Sequence, residues 1–321
     1  MRRAIGSLVL VGLLLLTLGS CKGRRSATSE GTELGGRLTI SGAWALYPMV
    51  VRWGEEFKKL HAQVQFDISA GGAGKGMADV LGRLAEIGMV SREVYPEEVG
   101  RGALAIAVVR DAVLPVVNKA NPVLEELLTR GVKRETFVAI WVNGTVTTWG
   151  EVAGDRTVTD PINVYTRSDA CGAAQTWAEY LGHKQEDLRG IGVYGDPGLA
   201  EAVARDPLGI GYNNLNYAFD PETGEPAPGI VVLPIDADED GRADSGEGPY
   251  IGKAQAVAAV AEGRYPAPPA RDLYLVILGK PTGLVQKFII WVLTEGQQFV
   301  PEAGYVRLNE ERLTEQLQLV R

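Results

Sequence analysis

Apolar and polar residues alternate through Val64-Gln65-Phe66-Asp67-Ile68, and from Met77 to Leu84 the apolar positions recur at helical spacing. The first period is that of a half-buried strand and the second that of one helix face. Between them lies Ser69-Ala70-Gly71-Gly72-Ala73-Gly74-Lys75-Gly76, and beyond them a short strand that stops at Gly88-Met89-Val90-Ser91-Arg92. The same alternation of periods runs along the chain. It predicts strands near 37–41, 64–69, 86–89, 104–110, 113–118, 162–166, 209–213, 230–235 and 272–278. It predicts helices near 46–60, 74–84, 134–141, 171–182, 197–205, 253–262, 283–295 and 310–319. Strands alternating with helices indicate an α/β architecture.

The glycine loop is the first candidate for chemistry. Backbone N–H groups at a helix start, at the positive end of its dipole, suit an oxyanion, and Lys75 adds a cation. Ser91 and Arg92 add a hydroxyl and a guanidinium at a strand end, where α/β folds carry ligands. A tight strand-to-helix turn without a ligand explains the same glycines equally well. Nucleotide hydrolysis is disfavoured: a P-loop requires Gly at 69 and Ser or Thr after the lysine, whereas this chain has Ser69 and Gly76.

The N-terminus adds a compartment. Arg2-Arg3 precedes an apolar run, Leu8 to Gly19, too short to span a bilayer, so residues 1–20 read as a signal peptide. Leu18-Gly19-Ser20-Cys21 resembles the bacterial lipoprotein cleavage box, which implies lipidation of Cys21 and a membrane anchor without a span. Residues 21–36 are polar and small, a flexible tether. The 321-residue chain carries a formal charge of −8, and the leader holds two of its cations. An acidic body lacks the basic footprint of a nucleic-acid binder. With Cys21 lipidated, Cys171 is left without a disulfide partner.

Four ordered segments then resemble the phosphate-binding proteins of ABC importers, which have a type II periplasmic-binding fold. They are Ile40 to Pro48, the glycine loop 71–76, Gly88 to Arg92, and Arg167-Ser168-Asp169-Ala170-Cys171-Gly172-Ala173. Ile210-Gly211-Tyr212, Gly296-Gln297 and Gly304-Tyr305 support them, so the resemblance covers roughly 37–318. It implies two α/β lobes joined by two crossing strands, lobe one being 37–112 with 271–321 and lobe two 113–270. It also implies an anion cleft lined by Leu46, Tyr47, Ala73, Gly74, Lys75, Ser91, Arg92, Arg167, Asp169, Cys171, Gly172 and Ala173. Arg167, Asp169 and Gly172 match the family pattern. Leu46, Ala73, Cys171 and Ala173 stand where that pattern has hydroxyls, and Arg92 where it has an acceptor Asp. Loss of that acceptor implies a fully ionised or larger anion.

A second site follows from spacing alone. Asp236-x-Asp238-x-Asp240-Gly241, with Arg242 and Asp244 at the seventh and ninth positions and Glu247 at the twelfth, meets the calcium-loop pattern. Its flanks read as a strand and a Gly-Pro turn, not as paired helices, so a bound Ca2+ would be structural. An acidic solvated loop is the simpler alternative.

The expected protein is thus a monomeric solute-binding lipoprotein that delivers a small anion to an ABC permease, held to the membrane by lipid only and without enzymatic activity. The rival readings are a sensory or adhesive lipoprotein on the same scaffold, or an enzyme using Cys171 as nucleophile.

Overall fold

The computed structural model describes residues 34–244, 247–248 and 250–321. The leader, Cys21 and most of the tether therefore lie outside the described residues. Among the described residues, no helix is long and apolar enough to cross a membrane.

The strands, in chain order, are β1 (Gly35–Gly42), β2 (Gln63–Ala70), β3 (Ile87–Val90), β4 (Ala103–Asn118), β5 (Val132–Lys133), β6 (Asn163–Arg167), β7 (Ile191–Val193), β8 (Gly209–Asn214), β9 (Ile230–Val232), β10 (Ile235–Asp236) and β11 (Ala270–Leu278). The main sheet runs β2-β1-β3-β11-β4-β8-β6-β7, with β9 also paired to β4 and a separate β10-β5 pair. β1, β2 and β3 are parallel, and β11 is antiparallel to both β3 and β4. β6 is parallel to β7 and β8.

Two hydrophobic cores form, because β4 serves two sets of partners. Its first part, Ala103 to Ala112, pairs with β11, and its second, Val113 to Asn118, pairs with β8 and β9. One core gathers residues from 38–109 and 273–320 around Trp53, Phe57 and Phe288; the other gathers 112–270 with Val306 around Trp141, Trp177 and Tyr212. The molecule is a mixed α/β protein of two lobes, crossed at 112–113 and 269–270, where Val113 N–H donates to the Pro269 carbonyl at 3.2 Å.

The alternation predicted two strands at 104–110 and 113–118, whereas β4 is continuous. Asp111 interrupts the apolar run and looks like a break, but it is fully buried in the middle of the strand. Short elements escaped periodicity: the helices Pro96–Gly100, Leu124–Arg130 and Trp149–Ala153, and β5 and β7, while the strand predicted at 230–235 is split into β9 and β10. The helix expected at 134–141 is an α-helix only to Val138, and Ala139–Asn143 continues as a π turn.

Candidate functional site

β1, β2 and β3 are parallel, so their carboxyl ends and the loops that follow lie on one edge of lobe one. β6, β7 and β8 do the same for lobe two, and ligand crevices in open α/β sheets form at such ends. The edges meet at three places. Gly74 N–H, in the first turn of the helix Ala73–Leu81, donates to the Ala170 carbonyl at 3.1 Å. Ser91 packs on Gly172, where an added Cβ would lie 2.2 Å from Ser91 Oγ and 2.3 Å from its carbonyl oxygen. Tyr217 hydroxyl donates to the Trp44 carbonyl at 3.1 Å, and Tyr194 meets the Trp44 ring edge-on. The lobes are apposed.

Arg167 ends β6 inside this apposition, its side chain only 1% exposed. Tyr212 sets its backbone: the phenol oxygen accepts from Arg167 N–H at 3.2 Å and shares a 2.8 Å hydrogen bond with Thr166 Oγ1. Arg167 Nε and Nη2 donate to the two Asp169 oxygens at 2.8 and 2.6 Å, and Nη1 donates to Asp196 Oδ2 at 2.6 Å. Burial works against the cation, but the Asp196 and Asp169 carboxylates outweigh it and raise its pKa. Asp169 also faces the other lobe: a Cβ on Gly72 would lie 2.9 Å from Asp169 Oδ2.

The network continues to the hinge through residues that the sequence gave no reason to group. Asp196 Oδ1 accepts from Asn214 Nδ2 at 2.6 Å, and Asn214 Oδ1 accepts from Arg271 Nη2 at 2.5 Å. Arg271 Nε then donates to the Ser91 carbonyl at 2.9 Å, back in lobe one. Asp111, the register partner of Arg271, holds an oxygen 3.5 Å from Arg271 Nη1, and neither of its oxygens has a hydrogen bond of normal geometry. Burial raises its pKa to about 6, against the pull of Arg271. Asp196 follows β7, Asn214 ends β8 and Arg271 is the second residue of β11. A polar residue at a strand end was the available sign for each of them.

Several predicted residues take other positions. Leu46, Ala73 and Ala173 are core side chains with 0%, 0% and 2% exposure, so only their backbones face the loops. Tyr47 is partly buried against the lobe-one core, and its N–H closes a turn onto the Trp44 carbonyl. Lys75 turns along its own helix to Asp79, which also accepts from Ser41 Oγ at 2.6 Å. Gly76 serves packing: a Cβ there would lie 2.7 Å from the Met89 carbonyl.

Arg92 does not take up the place of a second anion-binding cation. Its Nη1 and Nη2 donate to the two Glu98 oxygens at 2.9 and 2.7 Å, and its guanidinium lies 4.0 Å from the Tyr95 ring centroid. The cation that reaches Ser91 is Arg271. Glu98 thus pairs with Arg92, while Asp169 sets a carboxylate oxygen 2.9 Å from where a Cβ on Gly72 of the glycine loop would lie.

Cys171 caps the helix Gly172–Leu181, its Sγ accepting from Ala174 N–H at 3.4 Å. Burial pushes its thiol up to about 12 despite Arg167. Burial thus favours the neutral thiol.

In the predicted metal loop, Asp236, Asp238 and Asp240 offer oxygens that lie within 4.8 Å of one another. Glu247 Oε1 accepts from Ala237 and Asp238 N–H, the second at 3.2 Å, and Asp244 Oδ1 accepts from Glu247 N–H at 3.2 Å. Arg242 N–H donates to Asp240 Oδ1 at 2.8 Å.

Comparison with known proteins places this geometry. The phosphate-binding protein PstS of Bacillus subtilis strain 168 is 26% identical over 299 residues, which cover 92% of this chain and 89% of that one. PstS of Methanocaldococcus jannaschii is 22% identical over 361 residues, covering 94% and 92%. Among solved structures, a putative phosphate ABC transporter substrate-binding protein with bound phosphate from Clostridium perfringens superposes with a TM-score of 0.68 at 22% identity, covering 85% of this chain and all of that one. An ABC-type phosphate transport receptor from Vibrio cholerae gives 0.61 at 18%, covering 84% and 100%. These structures share the two-lobe fold. A family model for the PBP superfamily domain matches residues 26–295, most of the chain, and the chain belongs to that superfamily.

Proposed function

We propose that this chain is an extracytoplasmic solute-binding protein that captures a phosphate-class oxyanion between its lobes and delivers it to an ABC permease, anchored through lipid on Cys21. The relatives named as phosphate-binding proteins support the ligand class. The observation that carries the reading is Arg167, a buried guanidinium at a strand end where the glycine loop and the helix start at Gly172 meet.

Asp169 and Asp196 use three of the five guanidinium N–H groups, and the other two serve the ligand. Gly74 N–H, bonded to the Ala170 carbonyl in the apposed lobes, is released when they part and turns to a ligand oxygen. Entry therefore exchanges a protein carbonyl for an anion, and hinge motion at 112–113 and 269–270 admits it. Asp169 accepts a hydrogen bond from the protonated oxygen of a partly protonated oxyanion. A fully ionised tetrahedral anion would set charge against this carboxylate, so hydrogen phosphate is favoured over sulfate.

Isothermal titration of the purified protein with phosphate and sulfate tests this reading. Arg167→Ala should cost about 2–4 kcal/mol of phosphate binding, because a buried donor to a charged group is lost. Arg167→Lys keeps the positive charge beside Asp196 but not the two-pronged donor set, and should fall between variant and parent. Equal affinity of parent and Arg167→Ala for every anion tried would place the ligand elsewhere.

A further inference from the structure

The loop 236–247 lies outside the cleft and takes no part in the function above. It hangs from β10, whose pairing with β5 is its link to the lobe, and Ala243 N–H donates to the Thr129 carbonyl at 2.9 Å. Three carboxylates converge in it, those of Asp236, Asp238 and Asp240. Convergence alone is repulsive, and exposed acids need no ion. The second observation is burial without a partner. The Asp236 side chain is 1% exposed, and its Oδ1 has no hydrogen bond. Glu247 is 9% exposed, and its Oε2 has none either. A buried carboxylate oxygen left unpaired costs more than a surface one, so it marks a place where a cation belongs.

The protein supplies one cation of its own, and it falls short. Lys133 Nζ donates to the Glu239 carbonyl at 2.6 Å and lies 3.8 Å from Asp236 Oδ2. It is 40% exposed, and it makes no hydrogen bond to the unpaired Oδ1. Oδ2 also accepts from Gly241 N–H at 3.1 Å. That bond needs the sharp turn that Gly241 makes at φ +80°, a conformation unsuited to other residues.

We infer a structural calcium site with Asp236, Asp238 and Asp240 as carboxylate ligands, the Arg242 carbonyl as a backbone ligand, Asp244 acting through water, and Glu247 closing the shell. The donor set is oxygen throughout, which selects a hard cation over zinc or copper. Ligand positions 1, 3, 5, 7, 9 and 12 of a twelve-residue loop suit a large ion of six to eight ligands better than magnesium, which demands a small octahedron and retains its water. The loop follows a short strand and no helix pair flanks it, so the ion has no groove to open. Its effect is to hold the loop onto the β10-β5 edge.

The test uses the purified full chain, stripped of metal by chelator and titrated with calcium chloride to about 10 mM, above the range of extracellular calcium modules. One calcium per chain should bind by equilibrium dialysis, and saturation should raise Tm by about 2–4 °C. Asp238→Asn alters an exposed side chain and leaves folding intact; with Glu247→Gln it should weaken calcium binding at least tenfold and abolish the Tm shift. Magnesium at the same concentration should shift Tm less. Absence of bound calcium at 10 mM, or equal binding by parent and double variant, overturns the inference.

Discussion

Gly172→Ala is the sharpest probe of the lobe contact. The methyl group would sit 2.2 Å from Ser91 Oγ, 2.3 Å from its carbonyl oxygen and 2.5 Å from its carbonyl carbon. Ordinary contact begins about an ångström further out, and two of these three atoms are backbone. Ser91 cannot yield easily, since it is 2% exposed and Arg271 Nε holds its carbonyl. Relief inside one lobe is therefore blocked, and the lobes must separate. Overpacking of this kind costs about 1–3 kcal/mol. The firm neighbours place it in the upper half, about 2–3 kcal/mol, or roughly 30- to 150-fold in the closed-to-open ratio. Alanine favours a helix over glycine, so the helix Gly172–Leu181 itself should not suffer. The expected result is a larger radius of gyration by small-angle scattering, phosphate affinity lowered by up to that factor, and a Tm near that of the parent. Unchanged scattering with unchanged affinity would refute the argument, because it would mean that closure does not press Ser91 onto Gly172.

Asp111 gives a pH signature. Its folded pKa of about 6 lies above the ordinary 3.8, so the native state holds the extra proton. This group therefore stabilises the fold increasingly as pH falls from about 6 towards 4, and that contribution is lost as pH rises through 6, up to about 3 kcal/mol in all. Asp111→Asn removes the titration, so denaturant unfolding should show the variant gaining on the parent by up to that amount between pH 4 and pH 7; a constant difference would refute it. Cys171, 5% exposed and held as a thiol, should resist a thiol reagent at pH 7.5 until the protein unfolds. Rapid labelling of native protein would show that its surroundings are open.

The sequence determined what is local. Helix and strand periods lie within ten to twenty residues, so the long helices and most sheet strands could be read from them. The proposed calcium loop is equally local, because its candidate ligands follow from spacing in one twelve-residue segment. Arg167 and Asp169 were named from one short segment, although their pairing with each other is seen only in the structure. Short elements failed for the converse reason: a two-residue strand such as β5 has no period, and forms because β10 lies beside it.

Only tertiary structure decided which charges meet. Arg92 read as a free cation beside Ser91, but a turn and a short helix bring Glu98 onto it. Arg271, Asn214, Asp196 and Asp111 come from different strands and the loops between them, and no spacing rule links them. The crossing of β4 and β11 brings Arg271 against Asp111, and sheet order brings β6, β7 and β8 edge to edge. The physical reason is that a buried charge takes its partners from whatever the packed chain places within about 4 Å, and that neighbourhood is set by strand pairing, not by sequence distance.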